Sequence, residues 1–260
     1  MRTIAIVNQK GGTAKSTTAH AIGAGLRQRG YKVLSVDLDG QGDLSFMMRG
    51  QTSGETVTAI LNQIIETGKC DTQRAIQHTE QGDLIASSPA LTGADTILAD
   101  VIGKEYKVKE LLLPLQGLYD YCIIDCSPAL GTLTVNALTA STDVIAPCQA
   151  DMLSLKALAQ LNTTLQAVKK YCNPALNFMG VVITRYSQRA VLGRELAEKL
   201  TQLAEQSGAK VFQSRIREAT AVKEAQLLQQ DIYSYAPKAT ATQDYRDLVE
   251  EIIKETQSHE

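Results

Sequence analysis

The chain has 260 residues, of which 44% are hydrophobic and 21% are charged, and its formal net charge at pH 7 is -2. This composition excludes an intrinsically disordered chain, and the charge gives no overall attraction to nucleic acid or to anionic lipid. The length is ordinary for one α/β domain, so we expect a single domain over residues 1–260 with no N-terminal helix-turn-helix domain.

The cysteines and the apolar runs predict a cytoplasmic protein. The five cysteines are odd in number and scattered through apolar runs, which is typical of a reducing compartment rather than of a disulfide framework. No apolar stretch approaches the roughly 18 residues that a membrane span requires, and no basic and apolar leader opens the chain. We therefore expect a cytoplasmic location and no membrane partner.

Short β-branched runs alternate with longer segments of helical period. The first elements are predicted as a strand over 3–7, a helix over 16–29 that ends at Gly30, and a strand over 32–37. Further strands are predicted over 83–86, 121–125, 143–147, 178–184 and 210–213. This βαβ rhythm predicts an α/β fold, with a mostly parallel, doubly wound sheet of seven or eight strands covered by helices on both faces.

Two later segments have the apolar spacing of helices that cover a sheet. In the segment 56–66 the apolar face consists of Val57, Ile60, Leu61, Ile64 and Ile65. In the segment 153–171 it consists of Leu155, Leu158, Leu161, Leu165 and Val168. We predict that both helices pack on the sheet.

The segment between the first strand and the first helix has the composition of a phosphate-binding loop. Its backbone N–H groups and the positive end of the helix can surround phosphates, Lys15 can add an ammonium group, and the Ser16 hydroxyl can coordinate Mg²⁺. We therefore predict ATP and Mg²⁺ as ligands, whereas a glycine-rich turn without nucleotide is the alternative. The predicted nucleotide-binding residues of the loop are Gly11, Gly12, Thr13, Ala14, Lys15, Ser16 and Thr17.

Aspartates follow two of the predicted strands. Asp37 and Asp39 end the second strand, and Asp125 follows four apolar residues of a later strand, as in a Walker B strand. Because the carboxyl ends of parallel strands gather at one edge of a sheet, Asp37 and Asp125 are predicted to join Ser16 at a magnesium site. A capped turn is the alternative interpretation of Asp37 and Asp39.

Lys10-Gly11-Gly12 followed by Lys15-Ser16-Thr17 resembles the deviant KGGxGK(S/T)T loop of the ParA/MinD family of P-loop ATPases. The resemblance covers essentially the whole chain and is greatest to the small, Soj-like ParA proteins. Residues 37–43 are similar to the family's DxDxQGN segment, with Asp43 in place of Asn. Residues 125–138 resemble its DxPPxxGxLTxNAL run, with Ser127 in place of the first proline, and residues 147–151 resemble PxQxE.

The resemblance implies a slow ATPase that closes as a nucleotide-sandwich homodimer and serves as a timer for partitioning plasmid or chromosomal DNA. Lys10 would contact nucleotide across the dimer interface, and Asp39 would position the attacking water, so the implied catalytic set is Lys10, Lys15 and Asp39. The implied partners are non-specific double-stranded DNA on the nucleoid and a ParB-like protein that stimulates hydrolysis. The implied further nucleotide contacts are Thr184, Arg185, Arg215 and Ile216.

Ala14 departs from the family loop, which has glycine at this place. If the loop requires a positive φ there, alanine costs on the order of 1 kcal/mol relative to glycine, and its methyl group narrows the loop. We therefore expect weakened ATP turnover.

A basic segment lies late in the chain, where ParA proteins bind DNA. Between Arg185 and Lys223 there are eight basic and four acidic residues, a local excess of +4 in a chain of net charge -2. Such an excess favours DNA contact, although two solvated helix faces are the plainer interpretation. The predicted DNA-binding residues are Arg185, Arg189, Arg194, Arg217 and Lys223.

Two other functions share this fold. A MinD-like ATPase, or an orphan ParA-fold ATPase that positions a protein or membrane cargo without binding DNA, is the first alternative. The last helix has an apolar stripe, but acidic residues outnumber basic ones beside it, so core packing is favoured over lipid contact. The stripe consists of Leu248, Val249, Ile252 and Ile253. An ATP-dependent ligase or amidase is the second alternative.

Overall fold

The computed structural model describes residues 1–186 and 191–258, with their side chains except those of 191–194 and 258. The strands of these ranges are β1 (Arg2–Ile6), β2 (Val33–Leu38), β3 (Ile76–Thr79), β4 (Gly82–Ile85), β5 (Tyr121–Cys126), β6 (Asp143–Cys148), β7 (Asn177–Tyr186) and β8 (Lys210–Arg217). They form one eight-stranded sheet in the order β3-β4-β2-β5-β1-β6-β7-β8.

The sheet is mostly parallel, which confirms the predicted α/β class. Every neighbouring pair is parallel except β3 and β4, which are antiparallel and lie at one edge. The sequence Ile-Gln-His-Thr of β3 was not predicted as a strand, because it is short, mostly polar and only half buried. Edge strands lack the apolar runs that mark buried parallel strands.

Helices cover both faces of the sheet. The α-helices of the described residues are α1 (Lys15–Gln28), α2 (Asp43–Met47), α3 (Val57–Thr67), α4 (Ala94–Leu98), α5 (Lys107–Leu112), α6 (Thr132–Ala140), α7 (Met152–Tyr171), α8 (Val191–Gln206), α9 (Thr220–Leu227), α10 (Ile232–Tyr235) and α11 (Thr240–Ser258). Short 3₁₀ helices span Thr72–Ala75, Pro89–Gly93, Lys104–Tyr106 and Leu113–Leu115.

Two hydrophobic cores result, one on each face. Side chains alternate along β1, so Ala5 enters one core, with residues of α3, α5, α6, α7 and α8, whereas Ile4 and Ile6 enter the other, with residues of α1, α2, α9, α10 and α11. This two-faced packing is the doubly wound arrangement predicted from the βαβ rhythm.

The predicted helix faces lie in these cores. In α3, Ile65 is half buried and the other four predicted residues are buried, and in α7 only Leu155 is half buried. The apolar stripe of α11 is buried as well, in the same core as α1, which confirms its predicted core packing. Within the described ranges, no helix is both long enough and apolar enough to cross a membrane.

Candidate functional site

The loop between β1 and α1 is held in a strained conformation. Ala14 immediately precedes α1 with φ 65° and ψ 35°, the left-handed region, and Gly12 has φ 76°. The positive φ on which the expectation for Ala14 depended is therefore present. Thr13 is fully buried and Lys15 is 7% exposed, whereas Gly11 and Gly12 are exposed, so the loop is anchored at Thr13 and Lys15 and open at its glycines.

Polar side chains from the two strands next to β1 on one side fix the shape of this loop. The Gln149 amide, after β6, donates a hydrogen bond to the Gly12 carbonyl at 2.9 Å, and the Thr184 hydroxyl, on β7, donates to the Thr13 carbonyl at 3.0 Å. The Asn8 amide donates to the Pro147 carbonyl at 2.6 Å. Sequence reasoning did not assign these anchoring roles, since no local pattern joins residues 137 to 171 positions apart.

A cavity of about 600 Å³ lies over the loop, and it brings several predicted site residues together. The predicted residues that line it are Gly11, Gly12, Ala14, Lys15, Ser16, Thr17, Asp39, Arg185 and Lys223. Phe46 and Met47 of α2 and Leu227 of α9 add an apolar rim. Phosphate ligands need backbone N–H groups and a cation at a helix N-terminus, and the loop supplies both to this cavity.

Asp125 lies at the end of β5, beside the hydroxyl group of Ser16. Its side chain is fully buried, and neither carboxylate oxygen accepts a hydrogen bond from the described residues. Burial raises the pKa of Asp125 well above its usual value, the neighbouring Asp37 raises it further, and Ser16 and Lys15 act in the opposite direction. A buried carboxylate without a partner, beside a hydroxyl, fits the donor set of a magnesium site.

Both carboxylate oxygens of Asp37 accept hydrogen bonds from neighbouring residues. It is the register partner of Asp125 on the adjacent strand, but its oxygens accept hydrogen bonds from the Ser45 amide at 2.8 Å, the Ser45 hydroxyl at 2.7 Å and the Asp39 amide at 3.0 Å. Burial raises the pKa of Asp37 to about 6, although these hydrogen bonds lower it. Of the two roles open to Asp37, holding the turn is the one that its contacts support.

Asp39 faces the cavity. Its Oδ1 accepts a hydrogen bond from the Gln41 amide at 3.0 Å, and its side chain lines the cavity together with Lys15 and Ser16. The turn held by Asp37 therefore presents Asp39 to the space where a phosphate and a water would lie.

Lys10 is paired within its own chain. Its ammonium group donates to Gln149 Oε1 at 2.9 Å and forms an ion pair with Asp151. Asp151 also caps α7, accepting a hydrogen bond from the Ser154 amide at 2.8 Å. Partial burial acts to raise the pKa of Asp151, but the hydrogen bonds from Lys10 and Ser154 outweigh it and hold the pKa below its usual value.

A smaller cavity of about 50 Å³ lies beside the first, between the ends of β7 and β8. Thr184, Arg185 and Ile216, three of the predicted further nucleotide contacts, line it. Arg215 does not belong with them, because its guanidinium carbon lies over the ring of Tyr186, 4.8 Å from the ring centre.

Three of the five predicted DNA-binding residues lie among the described side chains, and all three line the cavities beside the phosphate loop. Arg217 and Lys223 line the smaller cavity, where Arg217 forms a bidentate ion pair with Asp244 and Lys223 pairs with Glu218 at 2.9 Å. Arg189 lies outside the described residues, as does the side chain of Arg194. Arg185 is exposed and lines both cavities.

Comparisons with known proteins give relatives over nearly the full chain. A family model described as an AAA domain matches residues 1–178. The chain is 33% identical to the sporulation initiation inhibitor protein Soj of Bacillus subtilis over 249 residues, which cover 96% of this chain and 97% of Soj. It is also 33% identical to the chromosome partitioning protein ParA of Caulobacter vibrioides, covering 97% of this chain and 94% of that protein.

Among solved structures, cobyrinic acid a,c-diamide synthase from Mycobacterium smegmatis, with bound ADP and magnesium, is similar with a TM-score of 0.84. It is 31% identical in sequence, and the alignment covers 100% of this chain and 97% of that chain.

Proposed function

Because this chain belongs to the ParA family of deviant Walker ATPases, we propose that it is an ATP-driven switch for partitioning DNA. The chain is an ATP hydrolase that uses ATP and Mg²⁺, acting as one domain over residues 1–260. In the ATP state it forms a sandwich homodimer that binds double-stranded DNA without sequence preference on the nucleoid. A ParB-like partner stimulates its slow hydrolysis, which releases plasmid or chromosomal DNA.

The observation that carries this proposal is the meeting of Lys15, Ser16 and Asp39 in one cavity, next to the buried carboxylate of Asp125, which accepts no hydrogen bond of good geometry from the described residues. Three separate stretches of sequence contribute, at the ends of β1, β2 and β5, which are adjacent in the sheet. An incidental turn would not bring a buried orphan carboxylate to the N-terminus of a helix.

The residues of the chain divide the work of hydrolysis between them. Loop amides and Lys15 hold the phosphates and offset the charge that develops on the γ-phosphate, while Asp39 orients a water for in-line attack. Ser16 and Asp125 would hold magnesium, which when bound neutralises phosphate charge. Asp37 keeps the turn in place and so sets the position of Asp39.

Dimerisation requires that Lys10 leave its partner. In the described conformation Asp151 and Gln149 hold its ammonium group, so contact with a nucleotide in the second protomer exchanges that ion pair for a phosphate. A polyphosphate carries more charge than one half-exposed carboxylate, and this difference favours release when the dimer closes.

The contacts of the basic segment identify the residues best placed to bind DNA. Arg217 and Lys223 each have a carboxylate partner, whereas Arg185 and Arg215 are exposed. Arg215 presents its guanidinium beside an aromatic ring, which is a common arrangement at nucleic-acid surfaces. Arg185 lines the cavity that contains Lys15, so we assign the leading DNA contact to Arg215, which dimerisation would double.

The test is binding to arbitrary double-stranded DNA with ATP, with ADP and without nucleotide, at two salt concentrations. We expect binding only with ATP, weakening as salt rises, lost in Lys15→Ala and reduced about tenfold in Arg215→Ala. Lys254→Ala, which changes an exposed lysine of α11, is the matched control and should bind as wild type does. Tight ATP binding without any DNA binding would contradict the DNA part of the proposal and favour a protein or membrane cargo.

A second candidate follows from the similarity to cobyrinic acid a,c-diamide synthase, a protein whose name describes a metabolic reaction. For this candidate, cobyrinic acid alone should raise ATP turnover, and DNA should leave it unchanged. The same turnover assay with each addition separates the two functions.

A further inference from the structure

One face of α9 forms a wall of the large cavity. Lys223, Gln226 and Leu227, spaced by three and four residues, all line the cavity that contains Lys15. Positions i, i+3 and i+4 lie on one side of a helix, so this side of α9 is directed at the cavity. Leu227 is 76% exposed, although it lies beside a space large enough for a nucleotide.

The same face is attached to the phosphate loop. The Gln226 amide donates a hydrogen bond of 2.5 Å to the hydroxyl of Thr17, in the first turn of α1. Lys223 lies one helical turn before Gln226, and both residues line the large and the small cavity. Lys223 is therefore placed where the two cavities join, between the phosphate loop and the ends of β7 and β8.

The ammonium group of Lys223 forms an exposed ion pair with Glu218. Its ammonium group lies 2.9 Å from Glu218, and the side chains are 65% and 55% exposed. The hydrogen bond and charge of Lys223, with a smaller effect of Arg185, hold the pKa of Glu218 below its usual value, so this carboxylate is ionised at neutral pH. Exposed ion pairs of this kind contribute little to stability and exchange readily.

We propose that Lys223 is a nucleotide contact rather than a DNA contact. On binding of ATP or ADP its ammonium group leaves Glu218 for the phosphates of the nucleotide, and α9 becomes the wall that covers the bound nucleotide. This inference rests on the proposed ATP site. Phosphates of DNA offer similar chemistry, but Lys223 shares its cavity with Lys15, and that position favours the nucleotide.

The experiment is calorimetric titration of Mg-ATP and Mg-ADP, without DNA, into wild type, Lys223→Ala, Lys223→Arg and Glu218→Gln. One charge-assisted contact predicts affinity about tenfold weaker for both nucleotides in Lys223→Ala. Lys223→Arg keeps the charge and should stay within about threefold of wild type, and Glu218→Gln should bind about twofold tighter because the competing carboxylate is gone. Lys254→Ala is the matched control.

Wild-type affinity for both nucleotides in Lys223→Ala would overturn the inference, and if that variant also lost DNA binding, Lys223 would be a DNA contact. Failure of wild type to bind Mg-ATP would instead overturn the proposed function, and this inference with it.

Discussion

The phosphate loop and α9 face each other across one cavity, yet they hold their charged groups in different ways. Lys15 is 7% exposed and stands on a loop whose carbonyls are tied to β6 and β7, whereas the Lys223 side chain is 65% exposed and paired with a neighbouring glutamate. The loop is set before nucleotide arrives. The α9 wall instead has an exposed ion pair, Lys223 with Glu218, in which a ligand can replace the glutamate.

We infer that the phosphate loop provides affinity for the nucleotide, whereas α9 responds to which nucleotide is bound. A pre-formed loop supplies affinity without reorganisation, because hydrogen bonds from Gln149 and Thr184 already fix its backbone. An exposed ion pair such as Lys223 with Glu218 can change partners when the bound nucleotide changes, and a switch requires such a change. The following predictions test whether the two walls differ in this way.

The largest effect is expected from Lys15→Ala. Removing the buried cation next to the phosphate loop should lower ATP turnover on the order of 100-fold or more, because Lys15 is the buried cation at the helix N-terminus where the γ-phosphate charge develops. The measurement is phosphate release at saturating Mg-ATP, with far-ultraviolet circular dichroism to confirm the fold. If ATP turnover in Lys15→Ala stayed within twofold of wild type, Lys15 of the phosphate loop would not take part in hydrolysis.

A smaller effect is expected at His20, which lies on α1 beneath α9. Burial lowers its pKa from 6.5 to about 4; Asp231 and Gln81 act to raise it and Arg27 to lower it further. The unfolded chain therefore binds a proton that the native state does not, and stability present above the unfolded pKa is lost as pH falls. From about pH 7.5 to about pH 5 this linkage should cost wild type about 2 kcal/mol of unfolding free energy.

His20→Gln removes this titration. Urea unfolding at the two pH values should therefore show an acid-induced loss that is about 2 kcal/mol smaller in His20→Gln than in wild type. Equal losses of unfolding free energy in the two proteins would mean that His20 accepts a proton in the native state as readily as in the unfolded chain. His20 would then be less buried than described.

The smallest effect is expected from Ala14→Gly, at the left-handed residue before α1. Glycine accepts the φ of 65° without the alanine penalty, so unfolding free energy should rise by about 1 kcal/mol, and ATP turnover should rise with the relaxed loop. Gly12→Ala is the reverse test, since a methyl group there meets no atom within 4 Å and only the φ of 76° opposes it. A gain in stability from Gly12→Ala would show that positive φ is not a source of strain here.

Local pattern was enough to predict the loop side of the cavity. The strand predicted over 121–125 is observed as Tyr121–Cys126, and the helix predicted over 16–29 is observed as Lys15–Gln28. In each of these elements the spacing of apolar residues indicates the type of secondary structure, and polar residues mark its ends. The carboxyl ends of parallel strands also meet at one edge of the sheet. These local patterns placed an aspartate-bearing strand end beside Lys15 and Ser16, whereas the choice of Asp39 as the water-positioning residue came from the family resemblance.

The α9 side could not be predicted in the same way. The last strand was predicted to end at residue 213 but continues to Arg217, and Arg215 lies over the Tyr186 ring rather than in the small cavity with Ile216. The ion pair of Arg217 with Asp244, like that of Lys10 with Asp151, joins distant residues with no local signal. A count of basic residues cannot show which charges already have a partner.

The most direct test of the central claim is light scattering of Asp39→Ala with Mg-ATP. Asp39 only orients water in this account, so the variant should bind ATP, lose turnover on the order of 100-fold and persist as a species of twice the monomer mass. Wild type should return to monomer as ATP is consumed. An ATP-loaded Asp39→Ala protein that stays monomeric would contradict the claim that the filled cavity drives dimer formation.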